Sequence, residues 1–204
     1  MSEKKKGLLV ILSGPSGCGK GTVLHQVLER YPNGIVSVSK TTREPRSGEL
    51  EGVHYFFVTK KEFEKSIKKK DFLEYAEYAG SYYGTPKTWV EMQREAGKDV
   101  ILEIEVQGGL QVIEKCPDAV SVFLTSPTLE ELERRLRYRG TEDEEKIQKR
   151  MKRAIWELNH MDVYKHVIVN DNVEEAANQF IAIMKKAHSA INKEENDLER
   201  EGGV

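Results

Sequence analysis

Gly14-Pro15-Ser16-Gly17-Cys18-Gly19-Lys20-Gly21 follows directly on the apolar run Leu8-Leu9-Val10-Ile11-Leu12, and Val23, Val27 and Leu28 begin a helical pattern after it. Gly14, Gly19 and Lys20 meet the spacing G-x-x-x-x-G-K, with strand, loop and helix in the order a phosphate-gripping loop requires. Glycine lets such a loop turn its N–H groups inward around an anion, and the lysine meets the outer phosphates. The rival reading, a tight turn with a surface lysine, leaves that order unexplained. A nucleoside triphosphate is expected on Gly14, Pro15, Ser16, Gly17, Cys18, Gly19, Lys20, Gly21 and Thr22. Where Ser or Thr often ligates magnesium, the residue after Lys20 is Gly21; Thr22 comes one later, so its help to a metal is expected to run through water.

The chain has 204 residues, enough for one domain with insertions. With 32 basic and 34 acidic side chains it carries a net charge of −2, which gives no reason to expect nucleic acid as a partner. Cys18 and Cys116 form no CxxC and read as free thiols of a reducing compartment. No apolar run approaches the roughly 18 residues of a membrane span, and Met1 to Lys6 is a short polar arm; a cytoplasmic setting is expected.

Apolar runs at Leu8 to Leu12, Val100 to Val106, Val120 to Leu124 and Val167 to Val169 are each followed by a helical pattern, as in a parallel sheet covered on both faces. Thr59 with Glu62 and Thr128 with Glu131 fit capping boxes. The last helix is expected over Val173 to Ile191, with Ala176, Ala177, Phe180, Ile181 and Met184 inward. The expected fold is α/β, a phosphate-loop parallel sheet flanked by helices. A mixed α/β lobe at 38–97 and a helical lid at 128–157 interrupt a core of 7–37, 98–127 and 158–191. Residues 1–6 are read as a flexible arm and 192–204 as a frayed tail.

The lobe carries Ser39-Lys40-Thr41-Thr42-Arg43-Glu44-Pro45-Arg46-Ser47-Gly48-Glu49 and then Tyr55. Arg43 and Arg46, three apart on a Pro- and Gly-stiffened turn, can converge on one phosphate. With Phe72-Leu73-Glu74-Tyr75-Ala76, Tyr82-Tyr83-Gly84-Thr85, Ile101 to Gly108, Arg139-Gly140-Thr141 and Val169-Asn170-Asp171, these motifs resemble the guanylate kinases in consistent order over roughly residues 7 to 190. The resemblance implies Mg-dependent phosphoryl transfer from ATP to GMP. It implies that Arg43, Arg46, Tyr55 and Tyr83 hold the GMP phosphate and that Ser39, Glu74 and Thr85 read the base. A carboxylate suits guanine, whose N1–H and N2 amino group lie side by side; adenine would leave it unpaired.

Glu103 and Glu105 are read as two apart on one strand and so facing the same way. The resemblance implies that Glu103 helps bind GMP and that Glu105 does so or orders magnesium's waters; a structural ion pair is an equal reading for Glu105. From Arg134 to Arg153 nine basic residues face four acidic ones. Most read as a solvated helix face, but Arg135, Arg139 and Arg150 match family positions that close over the phosphates, and Asn170 the residue on ATP's adenine side. Lys20, Arg43, Arg135, Arg139 and Arg150 are the expected catalytic set. Two rivals are kept: a phosphopeptide-binding module of the same fold, against which Lys20 and the lid arginines speak, and a kinase for another nucleoside monophosphate. Monomer and homodimer are both open.

Overall fold

The computed structural model describes residues 5–78, 80–138 and 144–201. They form two compact units, Met1–Ser13 with Asn33–Ser121, and Gly14–Pro32 with Val122–Val204.

In the first unit, β1 (Leu9–Ser13), β2 (Gly34–Val36) and β7 (Asp99–Glu103) form parallel ladders, with Leu9 opposite Val100 and Gly34 opposite Asp99. Every residue of β1 is buried, which explains the apolar run Leu9 to Leu12 that precedes Ser13. The inserted segment makes a second sheet in the order β4-β3-β6-β5. Its strands are β3 (Ser39–Thr41), β4 (Tyr55–Phe57), β5 (Phe72–Tyr78) and β6 (Ser81–Pro86). β3 runs parallel to β4 and antiparallel to β6.

Helix α2 (Lys60–Lys68) begins in a complete capping box, with the Thr59 hydroxyl accepting from Glu62 N and Glu62 accepting from Thr59 N. Its fully buried Phe63 stacks on Phe72 and Tyr82 at centroid separations of 4.5 and 5.4 Å, the apolar centre of the lobe. Helices α3 (Lys87–Glu95) and α4 (Val106–Lys115) complete this unit.

In the second unit, β8 (Val120–Thr125) pairs in parallel with β9 (His166–Val169) from Val122 onward. The helices are α1 (Lys20–Arg30), α5 (Leu129–Tyr138), α6 (Glu144–Leu158) and α7 (Val173–Glu201). α1 packs on α7 through Val23, Leu24 and Val27 and through Ala176, Ala177, Phe180 and Met184, all buried.

Parallel strands flanked by helices, with a separate mixed sheet from the insertion, give the α/β class that the sequence pattern implies. Three details differ from expectation. β7 ends at Glu103 and Glu105 is the N-cap of α4, because the chain turns from strand to helix between them; the two carboxylates do not share a strand face. The Thr128 hydroxyl accepts from Glu131 N, but the Glu131 carboxylate is taken by Arg134 and Arg135, so the second capping box is half made. α7 runs past Ile191 to Glu201, since no Gly or Pro interrupts the charged helix formers before Gly202.

Candidate active sites of the two units

The phosphate loop lies wholly in the second unit. Gly19 caps α1 in the left-handed region (φ 95°), and a Cβ there would stand 2.4 Å from Asn170 Nδ2, so only glycine fits. Gly17, at φ 92°, is as constrained, since its Cβ would meet Leu136 of α5 at 2.8 Å. Lys20 Nζ donates to the carbonyls of Gly14 (2.6 Å) and Pro15 (3.2 Å), which keeps the ammonium over the loop. Cys18 is fully buried and burial pushes its thiol pKa up, which keeps it neutral and unreactive.

Asn170 ties this loop to β9. Its Nδ2 donates to Cys18 O (2.8 Å), its carbonyl accepts from Arg135 Nη2 (3.1 Å), and its Oδ1 is buried with no hydrogen-bond partner among the described residues. Arg135 also donates to Glu131 (2.7 Å), and Arg150 donates to the Ser16 hydroxyl. A cavity of about 380 Å³ is lined by Gly17, Gly19, Thr22, Arg134, Arg135, Tyr138, Asn170 and Val173. Loop, Lys20, Thr22, Arg135, Arg150 and Asn170 are thus gathered in one place. Arg139 lies outside the described residues.

The second site lies wholly in the first unit. A pocket of about 310 Å³ is lined by Ser39, Tyr55, Glu74, Tyr83, Glu103 and Glu105, all anticipated, and by Ala76, Ile104, Gln107 and Gly108. Gln107 and Gly108 were not singled out from sequence; their signal is their place in the quoted run Ile101 to Gly108, at the turn from β7 into α4.

Glu74, on β5, is 7% exposed. Its Oε1 accepts from Thr85 N (3.1 Å) and Thr85 Oγ1 (2.6 Å), so Thr85 on β6 fixes the carboxylate. Burial raises the Glu74 pKa, while the two bonds from Thr85 and the charge of Lys115 oppose the rise. A Cβ on Gly108 would come within 2.9 Å of Glu74 Oε2, so the glycine leaves room for that oxygen.

Arg43 stands beside the pocket, its guanidinium 5.5 Å from the Tyr55 ring centroid. It donates to Glu44 O (2.7 Å) and to both oxygens of Glu49 (2.8 and 2.9 Å). Arg46 N donates to the same carboxylate at 2.8 Å. Those bonds hold the Glu49 pKa down to about 2. Among the described residues no three acidic, His or Cys side chains cluster as a metal site, and no helix is long and apolar enough to cross a membrane.

The family model described as Guanylate kinase matches residues 6–187. The chain is 46% identical over 198 residues to a guanylate kinase of Clostridium perfringens (strain SM101 / Type A), covering 97% of this chain and 92% of that one. It is 50% identical over 187 residues to one of Latilactobacillus sakei, covering 91% and 92%. A crystal structure of guanylate kinase from Anaplasma phagocytophilum superposes with a TM-score of 0.69 at 34% identity, over 90% of this chain and 87% of that one.

Proposed function

Because this chain belongs to the guanylate kinase family, we propose that it transfers the γ-phosphoryl group of ATP to GMP, giving ADP and GDP. The observation that carries the choice of acceptor is Glu74, a buried carboxylate with one oxygen fixed by Thr85 on the wall of a pocket of about 310 Å³. Guanine offers two adjacent donors to such an acceptor. Adenine offers none there, and a polar site left without partners discriminates by roughly 10⁴.

Phosphoryl transfer needs two polyanions held in line and their charge neutralised, with no side-chain nucleophile. Lys20 and the N–H groups of the loop hold the donor phosphates. Arg43, Arg46, Tyr55 and Tyr83 take the acceptor phosphate, which competes with Glu49 for Arg43. Ser39 and Glu74 read the base, Thr85 acts by fixing Glu74, and Glu103 closes the pocket. Asn170 reads the adenine side. Arg135, Arg139 and Arg150 balance the charge that spreads over the moving group, a role worth roughly 10³ to 10⁵ in rate.

Magnesium bound with ATP would neutralise phosphate charge, and Thr22 on the wall of the donor cavity would reach it through water; Glu105, at the α4 N-cap, lines the acceptor pocket, where it would order water. Residues 38–97 serve as the GMP lobe and 128–157 as a lid whose closure excludes water from the donor phosphates. These substrates and two free cysteines fit a cytoplasmic enzyme. Coupled measurement of ADP release tests the reading: release from Mg-ATP must depend on GMP, and a chain that binds both nucleotides without releasing ADP contradicts it.

A further inference from the structure

Tyr138, the last residue of α5, is 87% exposed. A ring left so open contributes little to the fold and is available to a ligand. It does not stand on a bare face: it lines the cavity of about 380 Å³ whose lining also includes Gly17 and Gly19 of the phosphate loop. Among the described residues no other aromatic side chain lines that cavity. The same lining includes Asn170, whose Nδ2 donates to Cys18 O and ties the loop to β9. Arg135 is anchored by Glu131 and the Asn170 carbonyl. The cavity therefore combines glycines of the phosphate loop, the Arg135 guanidinium and the ring of Tyr138.

We propose that Tyr138 is a further substrate-binding residue of the donor site, its ring forming the platform on which the base of the nucleoside triphosphate stacks. The proposal rests on the reading of this cavity as the ATP site. Stacking is indifferent to the tyrosine hydroxyl and to the phosphates, so it predicts a change confined to the base.

The test measures GMP-dependent ADP formation with ATP varied, for the wild type, Tyr138→Ala and Tyr138→Phe, with inorganic tripolyphosphate as a competitor lacking a base. In Tyr138→Ala the KM for ATP rises roughly tenfold, the size expected when one base–aromatic stack is removed. Its kcat, KM for GMP, inhibition constant for tripolyphosphate and melting temperature stay as in the wild type, and Tyr138→Phe behaves as the wild type. A KM for ATP within twofold of the wild type in Tyr138→Ala overturns the proposal and leaves the kinase reading standing. So does a parallel rise in the tripolyphosphate constant, which would assign Tyr138 to the phosphates. Absence of GMP-dependent ADP formation in the wild type overturns the underlying reading instead.

Discussion

Arg43 Nη2 donates to both carboxylate oxygens of Glu49, at 2.8 and 2.9 Å, and the same carboxylate accepts from Arg46 N. One acidic side chain thus organises the turn that carries both arginines assigned to the acceptor phosphate.

That pairing sets an acid dependence. The Glu49 pKa is held at about 2, below an ordinary 4.5, and Glu131, bonded to Arg134 and Arg135, is also at about 2. A carboxylate with a lowered folded pKa contributes stability that is whole above its unfolded value and is lost as pH falls toward the folded one. Melting temperature should therefore drop between about pH 4.5 and 2. Glu49→Gln and Glu131→Gln should each flatten that drop; slopes identical to the wild type would contradict the role of these pairs. Both sit near solvent, so added salt should weaken the effect.

Lys70 follows the C-cap of α2 at φ 54°, the left-handed region where glycine is at ease, and its N–H bonds Ile67 O at 2.9 Å. Lys70→Gly relieves the backbone strain of a residue carrying Cβ, partly offset by the freedom glycine adds to the unfolded chain. A net gain of about 0.5 kcal/mol, or 1–2 °C in melting temperature, is expected. A lower melting temperature would show that the lysine side chain stabilises the turn.

Gly108→Ala probes the acceptor pocket without backbone strain. The new Cβ would lie 2.9 Å from Glu74 Oε2, and the carboxylate, pinned through Oε1 by Thr85, has little freedom to retreat. The KM for GMP should rise at least tenfold, about 1.4 kcal/mol, while the KM for ATP is unchanged. An unaltered KM for GMP would mean that Oε2 does not face the base.

Glu74 itself should trade stability for recognition. Burial raises its pKa, so its ionised form costs stability, and that cost appears as pH rises through the folded value. Glu74→Gln keeps an oxygen for both Thr85 bonds and removes the buried charge. It should melt a few degrees above the wild type at pH 8, the gap closing on acidification at a pH above the usual 4.5. A lower melting temperature at pH 8 would contradict this.

The phosphate loop, the buried strands β1, β7 and β8 and the Thr59 cap were legible because local chemistry alone specifies them; β9 was legible as a Val-Ile-Val run, but it buries only Ile168 and leaves Val167 and Val169 exposed, so it is not covered on both faces as its apolar sequence suggests. β2, β3 and β6 were not legible. β2 and β3 are three residues long, too short for periodicity. β6, whose Tyr-Tyr-Gly-Thr run favours a strand but is broken by Gly84, shows no alternation of apolar and polar residues and is held by pairing with both β5 and β3. Glu105 was misplaced because an apolar-flanked carboxylate reads alike at a strand end and at a helix N-cap. The pairings of Arg43 with Glu49 and Thr85 with Glu74 depend on tertiary geometry and could not be read from spacing. Neither could Tyr138, which matched no motif and became visible only as the aromatic wall of a cavity.

The central claim is that a buried carboxylate selects guanine, and it is tested most directly by the acceptor panel. ADP release from Mg-ATP is measured with GMP, AMP, CMP and UMP for the wild type and Glu74→Gln. The wild type should favour GMP over AMP by roughly 10⁴ in kcat/KM, and the variant should lose most of that ratio through GMP while still melting cooperatively. A GMP-to-AMP ratio that is the same in both proteins would contradict the account.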